Sequence, residues 1–446
     1  MPSPPTPSVT VPPPSGRPPA SNLAPRDVAA LQEELAAYHQ VFQPLFARAE
    51  QRQWARAYLQ GQLLDLERKS IEPMALALPD GDVQAMQQFI SAGAWEDDAI
   101  LQQHQRLVAE TLGDAETGVL IIDGCDFPKQ GTHSVGVARQ WCGALGKVAS
   151  CQASVVAGYA SAHGYTLVDR RLYLPEVWFT DAYADRRQAC GVPPDLPFQT
   201  HHQLAWDLIA TLRARGVLAF QWVTCDEQYG MSPALLDQIA AVGLTYFAEV
   251  PRHTLVWRTR PQTAVPPARG RGRPPQRARV VGGEPAAVRV EHLAAELPAE
   301  AWERCVVKEG AKGPLEADIA RVRVVAVRDG LPGPAVWVVF RRSLSEPAEL
   351  KTYLSNAPAD TPLERLVWAS GMRWPVESAI LECKSEVGMD HYEVRGWVGW
   401  HHHLTMSLLA HHFLVRLRRR LGGEITGIDR AAGARAAAGN PAAATA

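Results

Sequence analysis

Apolar residues recur at helical spacing in the first part of the chain, up to Gly113. Two stripes show this most clearly: Val28, Leu31, Leu35 and Tyr38, then Leu59, Leu63 and Leu66. A third stretch, residues 95–112, ends at Gly113, and glycine commonly follows the last turn of a helix. Such periodicity predicts amphipathic helices. We therefore expect a helical accessory region over residues 26–115, with DNA contact and dimerisation as its two open functions.

From Gly118 the pattern changes to short apolar runs. Residues 119–122 form a continuous apolar run, which is typical of a strand buried on both faces. Other strand-like runs cover residues 133–140, 152–159, 165–174, 219–224 and 244–250, and helical patterns cover 203–215 and 233–242. This succession predicts an α/β layer over residues 116–250, in which helices cover a mixed sheet.

A segment rich in proline and arginine interrupts this layer after residue 250. Short β-like runs follow at residues 278–281, 322–327 and 335–340, and helical periodicity returns from residue 363 to about 421. We expect a β-rich insertion with an Arg/Pro-rich linker over residues 251–362 and C-terminal helices over 363–423. The proline-rich residues 1–25 and the alanine-rich residues 424–446 are expected to be disordered tails.

The composition is that of a globular protein, with 446 residues, 46% apolar and 21% charged. Seven cysteines without a C-x-x-C pair indicate reduced thiols, and the absence of an apolar run of about 18 residues argues against a membrane partner. The net charge is only −2, but eight arginines and no acidic residue occupy residues 250–283. Positive charge is thus concentrated in one segment, as a surface that neutralises a nucleic-acid backbone would require.

Three carboxylates stand at informative positions. Asp123 and Asp226 each follow an apolar strand, and Glu377 follows Pro375 at the start of a predicted helix. Carboxyl ends of strands share one edge of an α/β sheet, so the aspartates are expected to meet. At about 100° per residue, Glu377 and Lys384 lie within about 20° of each other, whereas Glu382 falls about 140° away. Three such carboxylates predict a site for two Mg²⁺ ions, with Mn²⁺ able to substitute, that cuts phosphodiester bonds.

Several sequence blocks resemble one family. They are DFPKQGTHSVGVARQWCGALGK, RRLYLP, VTCDEQYG, YLSNAP, and RW-x-VE through VGMDHYEVRGW. Together they are similar to bacterial insertion-sequence DDE transposases, in the branch with the YREK signature. Arg373, Glu377 and Lys384 match the last three signature positions at the family spacing, and Ser370 replaces the tyrosine.

The resemblance implies an RNase H-like catalytic core that cleaves DNA at transposon ends and joins the 3′-OH to target DNA. By the same resemblance, Asp123, Asp226 and Glu377 are the catalytic metal ligands, with Asp126 an open rival for Asp123. Arg373 and Lys384 would contact DNA phosphates. The implied partners are double-stranded DNA and a second copy in a synaptic homodimer, in the bacterial cytoplasm at the nucleoid. The alternative is an inactive or domesticated DNA-binding relative.

Two weaker signals lie outside these blocks. Arg271 and Arg273 belong to an RGRP sequence that matches the core of an AT-hook, a short arm that enters the minor groove of A·T-rich DNA. Five histidines between His401 and His412 could suggest a metal site, but they share a helix with an apolar face. We interpret them as structural or surface residues rather than zinc ligands.

Overall fold

The computed structural model of the chain describes residues 25–267, 276–308 and 314–420. The predicted tails, apart from Pro25, and the AT-hook residues Arg271 and Arg273 lie outside these described residues.

Five helices form the N-terminal part of the molecule. They are α1 (Pro25–Gln40), α2 (Ala49–Leu63), α3 (Ile71–Ala77), α4 (Val83–Ala92) and α5 (Asp97–Leu112). The stripe residues Leu31, Leu35, Tyr38, Leu59 and Leu63 are buried on α1 and α2. The Gly113 amide closes α5 on the Ala109 carbonyl at 2.9 Å. The helices predicted in this part of the chain are therefore present.

Four consecutive strands begin the next part of the chain, and helices and two further strands follow. In order these are β1 (Val119–Pro128), β2 (Ala138–Cys142), β3 (Lys147–Ser161), β4 (Gly164–Tyr173), α6 (Ala184–Ala189), α7 (His201–Arg215), β5 (Trp222–Cys225), α8 (Glu227–Gly230), α9 (Pro233–Ala241) and β6 (Thr245–Glu249). The strand expected over residues 133–140 begins only at Ala138. Gly136 adopts φ +73°, and the Val137 amide donates to Ser134 in a turn, which prevents an extended chain before that point.

Mostly short strands follow and belong to the insertion. They are β7 (Leu255–Trp257), β8 (Thr263–Ala264), β9 (Arg279–Val280), β10 (Val288–Arg289), then α10 (Val290–Ala295), β11 (Glu303–Lys308), β12 (Leu315–Arg328), β13 (Leu331–Ser343) and β14 (Leu350–Ser355). Three helices complete the described chain: α11 (Leu363–Gly371), α12 (Trp374–Ser385) and α13 (Trp397–Arg420).

One twelve-stranded sheet contains strands of both the core and the insertion. Its order is β10-β7-β12-β13-β14-β6-β5-β1-β3-β2, with β11 beside β12 and β4 beside β3. The strands β1, β5 and β6 run parallel, and β14 joins β6 in the antiparallel sense. The insertion therefore extends the central sheet through β14.

Helices cover both faces of this sheet. On β1, Val119 and Ile121 enter a core shared with the N- and C-terminal helices, whereas Leu120 and Ile122 enter a second core beneath α7 and α9. This arrangement is the predicted α/β class: an RNase H-like mixed sheet flanked by helices and interrupted by a β-rich insertion, with an N-terminal helical region. No helix in the described ranges combines the length and apolarity needed to span a bilayer.

The N-terminal helices pack around α13, which is buried along most of its length. Tyr38 donates a hydrogen bond to the Leu409 carbonyl (3.1 Å), and Gln62 donates to the Ser407 hydroxyl (2.8 Å). One hydrophobic core thus joins the two ends of the described chain. The division into separate domains stays a prediction.

Candidate active site

Three parallel strands carry a row of carboxylates, in the middle of β1 and at the ends of β5 and β6. The register pairs Ile122 with Cys225 and Cys225 with Ala248. One residue further along each strand, the same register aligns Asp123, Asp226 and Glu249. Strand β1 continues beyond Asp123 to Pro128, so Asp123 does not follow the strand as predicted. Residues in register on neighbouring strands nevertheless project side by side.

Asp226 also begins a helix. It is the N-cap of the short helix α8, and its Oδ1 accepts a hydrogen bond from the Tyr229 amide at 3.3 Å. Such caps are common for aspartate, so this contact alone carries no function. Its alignment with Asp123 and Glu249 separates Asp226 from an ordinary cap.

Helix α12 brings a fourth carboxylate to the same place. Arg373 is its N-cap and Pro375 lies in its first turn, as the sequence predicts, and Glu377 follows in that turn. Gly158 of β3 permits the close approach of this helix, because a Cβ there would stand 3.0 Å from Val376 Cγ2. The glycine thereby sets the height of Glu377 over the sheet.

The Arg373 guanidinium lies between these carboxylates. Its nitrogens stand 2.6 Å from Glu377 Oε1, 3.6 Å from Glu249 Oε2 and 3.9 Å from Asp123 Oδ2. The side chain is one-quarter exposed, so these attractions are only partly screened by water. One cation therefore draws together carboxylates from β1, β6 and α12.

The row raises the pKa of its own acids. Burial, followed by repulsion from Asp226, raises the pKa of Asp123 to about 7 despite the Arg373 charge. Burial also raises the pKa of Asp226, and Glu249 adds to the rise. Both directions follow from removing carboxylates from water and placing like charges together. A site with these properties has an excess of negative charge that favours a bound cation.

Glu249 was not recognised in the sequence. Its Oε1 stands 3.3 Å from Lys351 Nζ on β14, and its buried Oε2 has no hydrogen-bond partner in the described chain. The available signal was its place directly at the end of the apolar run 244–248, the same position that Asp123 and Asp226 occupy on their strands. Only strand pairing shows that the three runs are neighbours.

Asp126 lies apart from the row. It alternates with Asp123 on β1, so its side chain leaves the opposite face of the strand. Its Oδ2 accepts a hydrogen bond from the Gly143 amide at 2.6 Å. Lys384 reaches the same end of β1, where Nζ donates to the Asp126 carbonyl at 2.8 Å. This geometry favours Asp123 over its rival, and Lys384 supports the end of the strand.

Ser370 occupies the position of the missing tyrosine. It is 3% exposed at the end of α11, and its hydroxyl donates to the Val367 carbonyl at 2.7 Å. The Arg341 guanidinium donates to the Ser370 carbonyl at 2.6 Å. A tyrosine side chain has no room here without displacement of its neighbours.

Glu382 is held on the far side of α12, as the helical phase predicts. It accepts hydrogen bonds from Tyr165 (2.9 Å), His411 (3.0 Å) and Arg418 (2.8 Å). Although burial opposes ionisation, His411 and Arg418 lower its pKa to about 2. Glu382 is thus a buried, ionised structural residue.

We expect Glu382→Gln to lower the free energy of unfolding by about 3 kcal/mol, because it leaves the Arg418 charge without its buried partner. Urea denaturation measures the change, with Glu386→Gln on the next turn as the control. Unchanged stability of Glu382→Gln would contradict the structural role of Glu382.

The histidines of α13 belong to the core. His403 accepts from the Tyr58 hydroxyl (2.8 Å) and donates to the Met389 carbonyl (3.0 Å), and burial lowers its pKa to about 3. Within the described ranges, no group of three or more His, Cys, Asp or Glu side chains stands close enough to hold a metal ion as placed. In the row, Arg373 occupies the intervening space. The donor set there is nevertheless all carboxylate oxygen, the type that Mg²⁺ and Mn²⁺ prefer.

Comparison with known proteins identifies one family. The sequence model described as DDE superfamily endonuclease matches residues 41–314. No curated protein matches the chain significantly. The matched residues include Asp123, Asp226 and Glu249, whereas Arg373 and Glu377 lie beyond them.

Proposed function

The chain belongs to the DDE superfamily endonucleases, whose model covers more than half of it, and we propose that it is a DNA transposase. It binds transposon ends, cleaves DNA by metal-dependent hydrolysis and joins the freed 3′-OH to target DNA. The placement within the insertion-sequence branch with the YREK signature is part of this proposal. The observation that carries it is the row of Asp123 and Asp226 with Glu377 opposite, where one guanidinium pairs with both Asp123 and Glu377.

Asp123, Asp226 and Glu377 are the residues that hold the divalent cations. Bound Mg²⁺ would activate the attacking water or 3′-OH and stabilise the leaving oxygen, and Mn²⁺ would do the same. The carboxylates outnumber the cationic side chains at the site, and this excess of negative charge provides the affinity for divalent cations. Asp226 stays fixed by its cap to α8, and Glu377 is fixed by the packing of Val376 on Gly158.

Arg373 is the residue that binds a DNA phosphate. Its pairs with Glu377, Asp123 and Glu249 keep the guanidinium at the centre of the site while the site is empty of substrate. Guanidinium groups bind phosphate oxygens through two parallel hydrogen bonds, so Arg373 can turn from carboxylates to the scissile phosphate. Lys384, which donates to the Asp126 carbonyl near the end of β1, is proposed to neutralise a neighbouring phosphate.

The partners are double-stranded DNA, as transposon ends and as target, and a second copy of the chain in the synaptic complex. The N-terminal helices α1–α5 are proposed to take part in DNA contact or dimerisation. Arg271 and Arg273, outside the described residues, are proposed as a minor-groove arm. We further propose that the protein acts at the nucleoid of a bacterial cytoplasm.

Cleavage and joining assays test the proposal. The protein is incubated with labelled ends of its element, supercoiled plasmid and Mg²⁺ or Mn²⁺, and nicks, double-strand breaks and joined products are measured. Metal-dependent cleavage followed by joining is expected. Binding of the ends without cleavage would instead support the inactive relative, which the Ser370 departure favours. Absence of binding to every end sequence would exclude both.

Glu249 gives a separate prediction. Because it fixes Arg373 and adds charge beside Asp226, we expect Glu249→Gln to lower the cleavage rate about 10- to 100-fold, the range found for residues that support metal ligands. Mn²⁺ affinity, measured by calorimetry without DNA, is expected to fall in parallel. Glu349→Gln removes a carboxylate that also faces Lys351, at 3.9 Å, and serves as the control. Equal effects of both variants would show that only the Lys351 pairing matters.

A further inference from the structure

A cleft separates the insertion from helices α11 and α12, directly beside Glu377. Its lining includes four cationic side chains, with two aromatic rings and Glu377: Lys308, Arg341, Lys351, Arg373, Tyr353, Trp374 and Glu377. Strands β11, β13 and β14 of the insertion supply three of the cations, and α12 supplies Arg373. The cleft is thus built by both the insertion and the core.

Two of these cations form no ion pair within the described part of the chain. Arg373 pairs with the carboxylate row, and Lys351 pairs with Glu249 and Glu349. In contrast, no carboxylate of the described chain lies within 4 Å of Lys308 or Arg341. Burial and then the nearby Arg341 charge lower the pKa of Lys308, although Glu377 acts in the opposite direction. Cations left uncompensated beside a binding site favour an anionic ligand.

Packing holds both side chains at the cleft. A Cβ on Gly371 would stand only 2.9 Å from the Val307 carbonyl oxygen, so β11 packs tightly on the end of α11. Lys308 follows Val307, and its Nζ lies 4.2 Å from the centre of the Trp374 ring. Arg341 uses one guanidinium nitrogen to donate to the Ser370 carbonyl. Of the five N–H groups of an arginine, the remaining ones are available for another acceptor.

We propose that this cleft binds a phosphodiester group of the DNA backbone next to the scissile bond, through Lys308 and Arg341. The inference rests on the proposed function, because it takes Glu377 to mark where DNA is cut. A phosphodiester carries one negative charge and two free oxygens, which match an arginine fork and a neighbouring ammonium. The insertion thereby takes part in positioning substrate as well as in extending the sheet.

The test measures how DNA affinity depends on salt. A fluorescein-labelled duplex of the element end is titrated with the full chain in EDTA, between about 50 and 200 mM salt. Each lost phosphate contact reduces the slope of log affinity against log salt by about 0.9. Lys308→Ala and Arg341→Gln are each expected to weaken binding several-fold and to reduce the slope. The double variant is expected to reduce it by about 0.9, the value for the one phosphate that the two residues share.

Matched controls lie on the same two strands. Arg304 of β11 and Arg342 of β13 both pair with Asp318, at 2.7 and 3.3 Å. Arg342 alternates with Arg341, and a register shift between Val306 and Lys308 turns Lys308 away from the face of Arg304. Arg304→Ala and Arg342→Gln remove the same charge and should leave the slope unchanged. Arg341→Lys keeps the charge, so a wild-type slope in this variant separates phosphate binding from loss of the Ser370 contact.

The outcomes separate the two proposals. Failure of the wild type to bind the duplex would overturn the proposed function itself. Binding by the wild type with an unchanged slope in the double variant would overturn the cleft assignment alone. Tighter binding of an RNA duplex of the same sequence, or displacement of DNA by inorganic phosphate from the wild type but not from the double variant, would assign the cleft to another ligand.

Discussion

Asp226→Asn is expected to lower the rate of metal-dependent DNA cleavage at least about 10³-fold while DNA binding is kept or strengthened. The amide retains the Oδ1 that caps α8 but removes the negative charge that a divalent cation requires. A loss of about 4 kcal/mol of transition-state stabilisation corresponds to this factor. DNA binding is preserved because the variant has one negative charge fewer to repel the DNA phosphates. Gel assays of cleavage and of DNA affinity measure the two effects.

Asp237→Asn is the control for this variant. Asp237 lies on α9 and pairs with Arg328 at 2.8 Å, with its side chain 47% exposed, so its loss removes one carboxylate away from the row. Its cleavage rate should equal that of the wild type. A rate for Asp226→Asn within tenfold of the wild type would exclude Asp226 as a metal ligand, whatever its effect on binding.

Asp123→Asn is expected to stabilise the metal-free protein at pH 8. The folded-state pKa of about 7 exceeds the ordinary value of about 3.9, so the folded protein must ionise this acid at a cost. Three pKa units correspond to about 4 kcal/mol at most, and water near the site reduces the figure to about 2. We therefore expect a higher thermal midpoint in EDTA, and the opposite order with Mn²⁺, which stabilises only the wild type.

The pH dependence has a definite sign. Because the folded pKa is raised, the folded wild type binds more protons than the unfolded chain between about pH 4 and 7. Its stability from this group is full below that range and is lost as the pH rises to 7. Asparagine does not titrate, so the gain should vanish at pH 4 and grow to a plateau above pH 7. Asp360→Asn, on the surface, is the control, and a gain that is independent of pH would contradict the explanation.

The fold class could be predicted because the burial of strands and helices determines where apolar residues recur in the sequence. The apolar run at residues 119–122 became the central strand, and the stripes before Gly113 became helices. Strand lengths were harder to predict. Strand β3 begins at Lys147, five residues before the predicted start, because β2 pairs with its polar, half-exposed beginning. Backbone hydrogen bonds to a partner strand supply that extension, and they leave no hydrophobic signal.

The candidate site was predictable where chemistry and local phase coincide. Helical phase placed Glu377 and Glu382 on different sides of α12, and the structure agrees. Glu249 was missed because its neighbours in space are 23 and 126 positions away along the chain. The same holds for Arg341 and Lys308, which reach Glu377 only because the insertion pairs with β6. Non-local strand order was the missing information in each case.

The pairing of β14 with β6 bears on how the protein can be shortened. Removal of the whole insertion would leave the backbone groups of β6 that now hydrogen-bond to β14 without partners. Strand β6, whose Tyr246, Phe247 and Ala248 side chains are buried, would then be an exposed edge of the sheet. Such an edge is a template for edge-to-edge aggregation. A minimal version of the enzyme would need to keep β14, or replace it with a designed strand that blocks the edge.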